Sequence, residues 1–309
     1  MNENLKFMRE FDESNLPSLS VATLGALELF IENGLPEVEI KDFKKPVIVG
    51  SGNAIVTAGI LYAGKDVIFA DENNYKEAMN ISGVDGVLVF SASGAKHGPI
   101  IAQEAINKGL KCQVITCTPD SPAEKIVGKE NTILTVKNRE PYTYNTSTYM
   151  GWIFAKTRED PKYILDFILN EVDKAIPKNI SNYLGYLLVS PNEYSKGNRL
   201  FEVKFIELFA RRIARDVKTY EELKHAVTVV PYEKELCIKF GEGDVDFAND
   251  VITIPLPEKM GPAAMMAIGY YVIGKIAEGK EQWFKKNIAS YIKRINDEGF
   301  GRGMKVIVE

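Results

Sequence analysis

Histidine and cysteine are the scarce residues of this chain: two histidines, His97 and His225, and three cysteines, Cys112, Cys117 and Cys237, in 309 residues. Three thiols cannot all pair, and no C-x-x-C spacing occurs, so nothing here builds a disulfide framework, a zinc cluster or a dithiol redox centre. The thiols read as buried and reduced, with Cys112 and Cys117, five apart in a strand-like run, pointing to opposite sheet faces. No apolar run approaches the ~20 residues of a membrane-spanning helix. The opening MNENLKFMREFDE is acidic and polar where a secretory leader is basic and then apolar, which leads to the expectation of a cytoplasmic protein. Excess charge is missing as well: Lys plus Arg total 38 against 42 for Asp plus Glu. With no long run of either sign, the expected partner is a small molecule, with no nucleic acid and no membrane. The absence of a G-x-S-x-G elbow argues against classical serine hydrolysis.

What remains is the balance of a folded globular protein, 45% apolar and 26% charged, long enough for two domains. In the first half, short β-rich runs alternate with helical segments at βαβ spacing: PVIVG (46–50), DVIFA (66–70), GVLVF (86–90), CQVIT (112–116) and TILTV (132–136). Strands that are apolar throughout are buried on both faces, as in a parallel sheet covered by helices. A long helical stretch, 147–175, leads to the polar IPKNISN (176–182), after which the pattern restarts. GYLLVS (185–190), ELCIKF (235–240) and DVITIPL (250–256) read as strands, with helices at 198–217, 261–278 and 281–296. The expected fold class is α/β: two flavodoxin-like, doubly wound domains with parallel sheets, residues 1–175 and 176–309.

The stretch VDGVLVFSASGAKHGPIIAQEA (84–105) carries the first chemistry. A strand ends in Ser91, Ser93 and Gly94 and runs into a helix, at the carboxyl edge of the sheet where open α/β folds bind ligands. Two hydroxyls, a glycine and helix N–H groups make an anion site, with phosphate the obvious anion. Lys96 in the first turn opposes the helix dipole unless something negative sits beside it. Plain helix capping by the two serines is the alternative. A similar turn, VGSGNAIVTAG (49–59), follows the first strand. Its Ile55 stands where a dinucleotide fingerprint needs a small residue, although Asp71 and Glu72 lie where a ribose-binding acid would.

These residues resemble a known family. FSASGAKHGPIIAQEAINKGLKCQVITCTPDSPAEKI looks like the phosphate loop, helix, strand and turn of sugar isomerase (SIS) domains; VGSGNA resembles their first glycine-rich turn, and EPYTYNTSTYMG (140–151) their Glu-led helix start. The resemblance implies phosphosugar contacts from Gly50, Ser51, Gly52, Ser91, Ser93, Gly94, Lys96, His97, Glu140, Thr146 and Ser147. Lys96 departs from the family's Thr or Ser. The second half resembles another SIS domain, giving the tandem layout of phosphoglucose/phosphomannose isomerases and of the isomerase part of glucosamine-6-phosphate synthase. It also implies a homodimer and no cofactor or metal.

Aldose–ketose isomerisation needs a base to move a proton between adjacent carbons and an acid/base group to open the ring. EELKH (221–225) resembles a family segment whose histidine opens the ring, so His225 takes that role; an exposed helix-end histidine is the alternative. The family places glutamate, lysine and glutamate at i, i+4 and i+7 of the preceding helix. An ungapped alignment from His225 puts Glu202, Ile206 and Phe209 there, and helical projection sets Glu202 within the apolar stripe and Glu207 at its margin. Glu202 at a helix start is alternatively a dipole-favoured acid. A two-residue gap puts Lys204 and Glu207 in the lysine and base positions instead. The ending NDEGFGRGMKVIVE resembles the family's tail and offers Arg302 and Lys305 as substrate contacts. The expected function is a phosphosugar isomerase acting through an enediol, with Glu202 or Glu207 as base and His225 as ring opener. The alternatives are a non-catalytic phosphosugar-binding module, favoured by Ile206 and Phe209 in place of charged groups, and a fructosamine-phosphate deglycase.

Overall fold

The computed structural model describes residues 2–225, 230–245, 247–299 and 303–309. In chain order, helices α1 (Glu3–Glu10) and α2 (Leu19–Asn33) precede β1 (Pro46–Gly50), α3 (Asn53–Leu61), β2 (Ile68–Ala70), α4 (Tyr75–Ala78) and β3 (Gly86–Phe90). Then come α5 (His97–Asn107), β4 (Lys111–Thr116), α6 (Pro122–Val127), β5 (Thr132–Leu134), β6 (Glu140–Pro141), α7 (Thr146–Thr157), α8 (Pro161–Phe167) and α9 (Asp173–Ala175). The remainder is β7 (Gly185–Ser190), α10 (Asn198–Phe209), β8 (Ala214–Thr219), α11 (Tyr220–Leu223), β9 (Glu235–Phe240), β10 (Asp250–Ile254), α12 (Pro262–Glu278), α13 (Trp283–Asp297) and β11 (Ile307–Val308).

By contact the chain divides into two compact units, both discontinuous in sequence: Leu35–Lys137 with Thr148–Arg158, and Met1–Gly34 with Asn138–Ser147 and Glu159–Glu309. The expected boundary at residues 175 and 176 falls between the two large sheets in sequence, and the compact units group the flanking segments differently. Helix α2, apolar nearly all round, packs on α1, α8 and α12, which draws the N-terminal residues into the unit of the second sheet. Strand patterns locate sheets, whereas unit membership follows where helices bury their faces.

The first unit is built on a five-stranded parallel sheet in the order β2-β1-β3-β4-β5. Strands β1 and β3 are buried at every position, as their unbroken apolar sequence requires. One face packs Val47, Val49, Val87, Val89 and Val114 with Ile101, Ala102 and Ala105 of α5.

The second unit holds a four-stranded parallel sheet in the order β10-β9-β7-β8. Its fourth strand, β8, overlaps the end of the helix expected at 198–217. Helix α10 ends at Phe209, where Ala210 turns left-handed (φ 52°). The following ARDVKT buries only Val217 and Thr219 and exposes charge along a sheet edge. An edge strand carries such charges as protection against further pairing, so it lacks the apolar run that marks its neighbours. The helix expected across 147–175 is likewise interrupted. Arg158 has φ 55°, and a new helix starts with Asp160 as N-cap and Pro161 at its first position.

One cap in this unit is supplied from far away in sequence. Helix α12 begins at Gly261 without a side-chain cap of its own, and the Glu159 carboxylate accepts from the N–H groups of Gly261, Ala263 and Ala264, all at 2.9 Å. Three charge-assisted bonds at a positive helix end are a strong local anchor. Glu159→Ala is expected to lower the unfolding free energy by about 2–3 kcal/mol, and Glu159→Gln by less, as read by urea denaturation.

Candidate functional site

In the first unit the chain leaves β1 toward β2 on one side and β3 on the other, so the crevice at their carboxyl ends is the topological switch point. The turns singled out in the sequence stand there. Gly50 closes β1, and a β-carbon on it would lie 2.9 Å from the Ile55 nitrogen and 3.1 Å from the Phe90 carbonyl oxygen. Glycine is what lets helix α3 start this close to the end of β3. Ser51 is half-buried and Gly52 exposed. Asn53, the first residue of α3, is buried, and its Oδ1 has no hydrogen-bond partner among the described residues. Sequence reasoning passed over Asn53; its signal was a polar amide opening a helix straight after Gly-Ser-Gly.

Beyond β3, the loop carrying Ser91, Ser93 and Gly94 is locked onto its neighbour. The Ala92 carbonyl accepts from the Cys117 N–H and the Thr116 hydroxyl, both at 3.0 Å, and the Gly94 carbonyl from Ala123 N–H at 2.9 Å. Gly94 has φ 58°, and any side chain there would collide with Ser121, the N-cap of α6. Ser91 is half-buried; Ser93, Lys96 and His97 are exposed. Lys96 adopts φ 44°, an uncommon conformation for a side-chain-bearing residue, and forms no ion pair among the described residues. Partial desolvation lowers its pKa. Helix α5 offers fewer donors than expected, because the Gly98 N–H bonds the Ala95 carbonyl and Pro99 has none. Attraction for an anion here therefore falls more on the hydroxyls and on Lys96.

In the second unit α10 corrects the expected register. Glu202 does not lie within the apolar stripe: its side chain is 33% exposed and pairs with Arg199 at 2.8 Å, and Ile206 is 40% exposed. The inward face is Leu200, Phe201, Lys204, Phe205, Leu208 and Phe209. The projection had centred its stripe on a helix running through Ile213, whereas the helix stops at Phe209 and turns its aromatic residues inward. Lys204 is fully buried, and its Nζ bonds Glu207 Oε2 at 2.7 Å. Glu207 is 20% exposed, and its other oxygen has no hydrogen bond among the described residues. Burial pushes the Glu207 carboxyl above the usual glutamate range, with Lys204 opposing.

Beside α10 lies the turn that leads from β6 into α7. Thr143 has φ 77° and Asn145 φ 45°. Such conformations cost about 1–3 kcal/mol each and persist only where surroundings hold them. Lys204 Nζ supplies that hold, donating to the carbonyls of Thr143 at 2.8 Å and Tyr144 at 2.7 Å. Glu140 departs from the ligand contact expected of it. It is buried, and its two oxygens accept from the N–H groups of Thr146 at 2.6 Å and Ser147 at 2.7 Å, so it caps α7. Burial raises its pKa, opposed by the bonds to Ser147 and Thr146 and by Lys204. Ser147 is buried too, its hydroxyl accepting from Asn138 N–H at 2.8 Å. Thr146 is buried with Oγ1 unpartnered among the described residues.

His225 is exposed in the turn after α11, its N–H bonded to the Glu222 carbonyl at 3.2 Å, and Lys305 is exposed in the C-terminal tail. No hydrogen bond or ion pair joins either of them, or Glu202, to Glu207 among the described residues. Arg302 lies outside the described residues. A cleft of about 1060 Å³ opens at the carboxyl ends of β7, β9 and β10, lined by Glu193, Glu221, Glu242, Asp244 and Glu258 with Lys224. Its charge is the opposite of what a phosphate requires. Among the described residues no cluster of three His, Cys, Asp or Glu side chains is placed to hold a metal, and no helix is long and apolar enough to cross a membrane.

No family model matches the sequence, and no curated protein does. Solved structures match by shape. A candidate phosphosugar isomerase from Clostridium difficile 630 superimposes with a TM-score of 0.61 at 15% identity, covering 93% of this chain and 98% of that one. The C-terminal domain of glucosamine-fructose-6-phosphate aminotransferase from Francisella tularensis gives 0.58 at 13% identity, over 87% of this chain and 98% of that one. Tagatose-6-phosphate ketose/aldose isomerase from Escherichia coli gives 0.56 at 12% identity, over 86% and 89%. Read from β8 to β10, the second sheet repeats the strand order of the first from β2 to β4, and with these superpositions that repetition gives the chain the fold of tandem sugar isomerase (SIS) proteins.

Proposed function

We propose that this chain is a phosphosugar isomerase-type enzyme that interconverts an aldose and a ketose phosphate. The carrying observation is the Lys204–Glu207 pair on α10: a carboxylate set in a buried neighbourhood, with one oxygen on an ammonium and the other unpartnered among the described residues. In this reading Glu207 takes the proton from C2 of the open-chain aldose and returns it to C1 through an enediol, while the proton of the C2 hydroxyl passes to the C1 oxygen. A carboxyl raised above its ordinary value is a better base near neutral pH than a solvated one. Ser51, Ser91, Ser93 and Lys96 would hold the phosphate, and His225 would open the ring. The resemblance adds a homodimer.

A second reading, a binding module without chemistry, has its own support. The register that gives Lys204 and Glu207 the family's lysine and base positions puts Leu200 at the leading glutamate position, and His225 is exposed with no side-chain hydrogen bond among the described residues.

Thermal shift against a panel of sugar phosphates, followed by exchange of the C1/C2 proton in deuterated water, separates the two readings. Binding with exchange is expected, and Glu207→Gln should slow exchange about 100- to 10,000-fold, the usual contribution of a general base, while Glu202→Gln changes it little. Binding without exchange in the native chain would leave only the module.

Because Glu207 must be ionised to act and its pKa is raised, exchange should increase with pH along a limb lying above the ordinary glutamate value of 4.5. A pH–rate profile checks this. For the phosphate, Lys96→Met should weaken binding roughly 10-fold and flatten its salt dependence, measured by titration calorimetry at two ionic strengths.

A further inference from the structure

Lys204 enters the proposed reaction only as the neighbour of Glu207, yet its surroundings specify more. An ammonium has three protons and no lone pair. Here three acceptors surround it: the Thr143 carbonyl at 2.8 Å, the Tyr144 carbonyl at 2.7 Å and Glu207 Oε2 at 2.7 Å. Its side chain is wholly buried, and the rings of Tyr270 and Tyr144 stand 5.4 Å and 6.0 Å from Nζ. With all three protons taken and no exposed surface, the ammonium has no donor left for a ligand.

Two of the acceptors belong to the left-handed turn at Thr143 and Asn145. Thr143 Oγ1 is buried without a partner among the described residues, so the side chain does not support its own backbone conformation. Support comes from either end and from beneath. Glu140 fixes the start of α7, Tyr142 N–H donates to the Val306 carbonyl at 2.7 Å, and Lys204 draws in the two carbonyls between them.

We infer that Lys204 is a positioning residue that touches no substrate: its ammonium ties the Thr143–Tyr144 carbonyls to Glu207 Oε2 and so leaves Oε1 as the oxygen that meets the substrate. This rests on the isomerase reading and departs from the resemblance, in which the lysine of the trio counts among the reacting groups. Among the described residues, the charged and titratable groups around Glu207 and its partner Lys204 are Lys204 on its own helix, Tyr142 and Tyr144 from the turn, Tyr291 of α13 beside Tyr142, Tyr270 of α12 over the Lys204 ammonium, and Glu140 of β6 near Lys204. Lys204 is the only cation in that set, and the pKa of Glu207 is therefore set against burial by this one residue.

The test uses Lys204→Met and the milder Lys204→Gln, whose amide still donates to a carbonyl, with the native chain as reference. Two measurements are made on each folded variant. The first is the titration of the Glu207 carboxyl in the ligand-free protein, followed by carbon-13 NMR with Glu207→Gln for assignment. The second is C1/C2 exchange as a function of pH and substrate concentration. Titration at higher pH is expected in both variants, with kcat for exchange down roughly 100-fold in Lys204→Met, less in Lys204→Gln, and KM within about twofold of native. The acidic limb of the pH profile should move up with the titration. A KM that rises by the whole of the rate loss, with the limb unmoved, would overturn the inference by making Lys204 a substrate contact. An unchanged Glu207 titration would overturn it as well. If the native chain catalyses no exchange, the isomerase reading fails by itself, and the ligand-free titration still decides whether Lys204 governs Glu207.

Discussion

The interaction on which the rest depends is the burial of one ammonium among three oxygens. Helix α10 presents Phe201, Phe205 and Phe209 to the core, and Lys204 stands on the same face with no exposure at all. Removing an ammonium from water costs several kcal/mol unless every proton finds an acceptor. The chain meets that requirement by bending a turn that otherwise opposes its own backbone preferences, so that two carbonyls point inward at Lys204. Turn and lysine are thus mutually necessary. Without the ammonium, the carbonyls of Thr143 and Tyr144 are buried acceptors with no partner; without the turn, the ammonium has one partner in place of three.

From that centre the constraint spreads along the backbone. The turn is continuous with β6, whose Glu140 caps α7, and β6 pairs antiparallel with β11, so the C-terminal tail is tied to the same few residues. Asn296 bonds the backbone of Met304 in both directions, at 2.9 Å and 3.1 Å, and fastens the tail to α13 as well. Glu207 has the remaining position, with one oxygen on Lys204 and the other without a hydrogen bond among the described residues. Its raised affinity for a proton reflects incomplete compensation: one cation against a largely desolvated carboxylate. The same imbalance has a stability consequence of definite sign. A carboxyl that binds its proton more tightly when folded contributes its stability below about pH 4.5, and the contribution is lost as pH rises through the folded value. The pair is therefore a place where stability is given up at neutral pH.

Much of this was legible in sequence, and the rest was hidden for physical reasons. Strands with unbroken apolar runs, such as GVLVF and GYLLVS, declared themselves because parallel strands covered on both faces need them. The edge strand ARDVKT did not, since an edge is charged, and so its residues were absorbed into the preceding helix. The stripe drawn through Glu202, Ile206, Phe209 and Ile213 ran past the end of the helix at Phe209 and set Glu202 in the core. The break at Asp160-Pro161 was readable from its capping signal and was outweighed by continuous helical periodicity. The Ser and Gly turns after β1 and β3 were legible because each follows an unbroken apolar strand and precedes a helix. Nothing in a linear reading reveals that Lys204 bonds carbonyls some 60 positions earlier, or that Glu140 is a cap, because both facts depend on where a turn folds back.

The two large sheets share a strand order yet differ in what stands at their carboxyl ends, and that difference argues for distinct roles. At the ends of β1 and β3, small hydroxylated residues, a left-handed glycine and a lysine with no ion pair among the described residues favour an anion. At the ends of β7, β9 and β10 the lining is dominated by carboxylates, and its lysine, Lys224, is paired with Glu221 at 2.7 Å. A phosphate carrying close to two negative charges would be repelled there. The repeated architecture has therefore kept one scaffold twice and placed an anion-favouring loop on only one copy. In the other, the buried ion pair lies away from the strand ends, where a helix and a turn hold the Glu207 carboxylate through Lys204. A fold used in duplicate does not duplicate its charges: the strand order repeats, and the side chains at the strand ends decide which copy favours an anion.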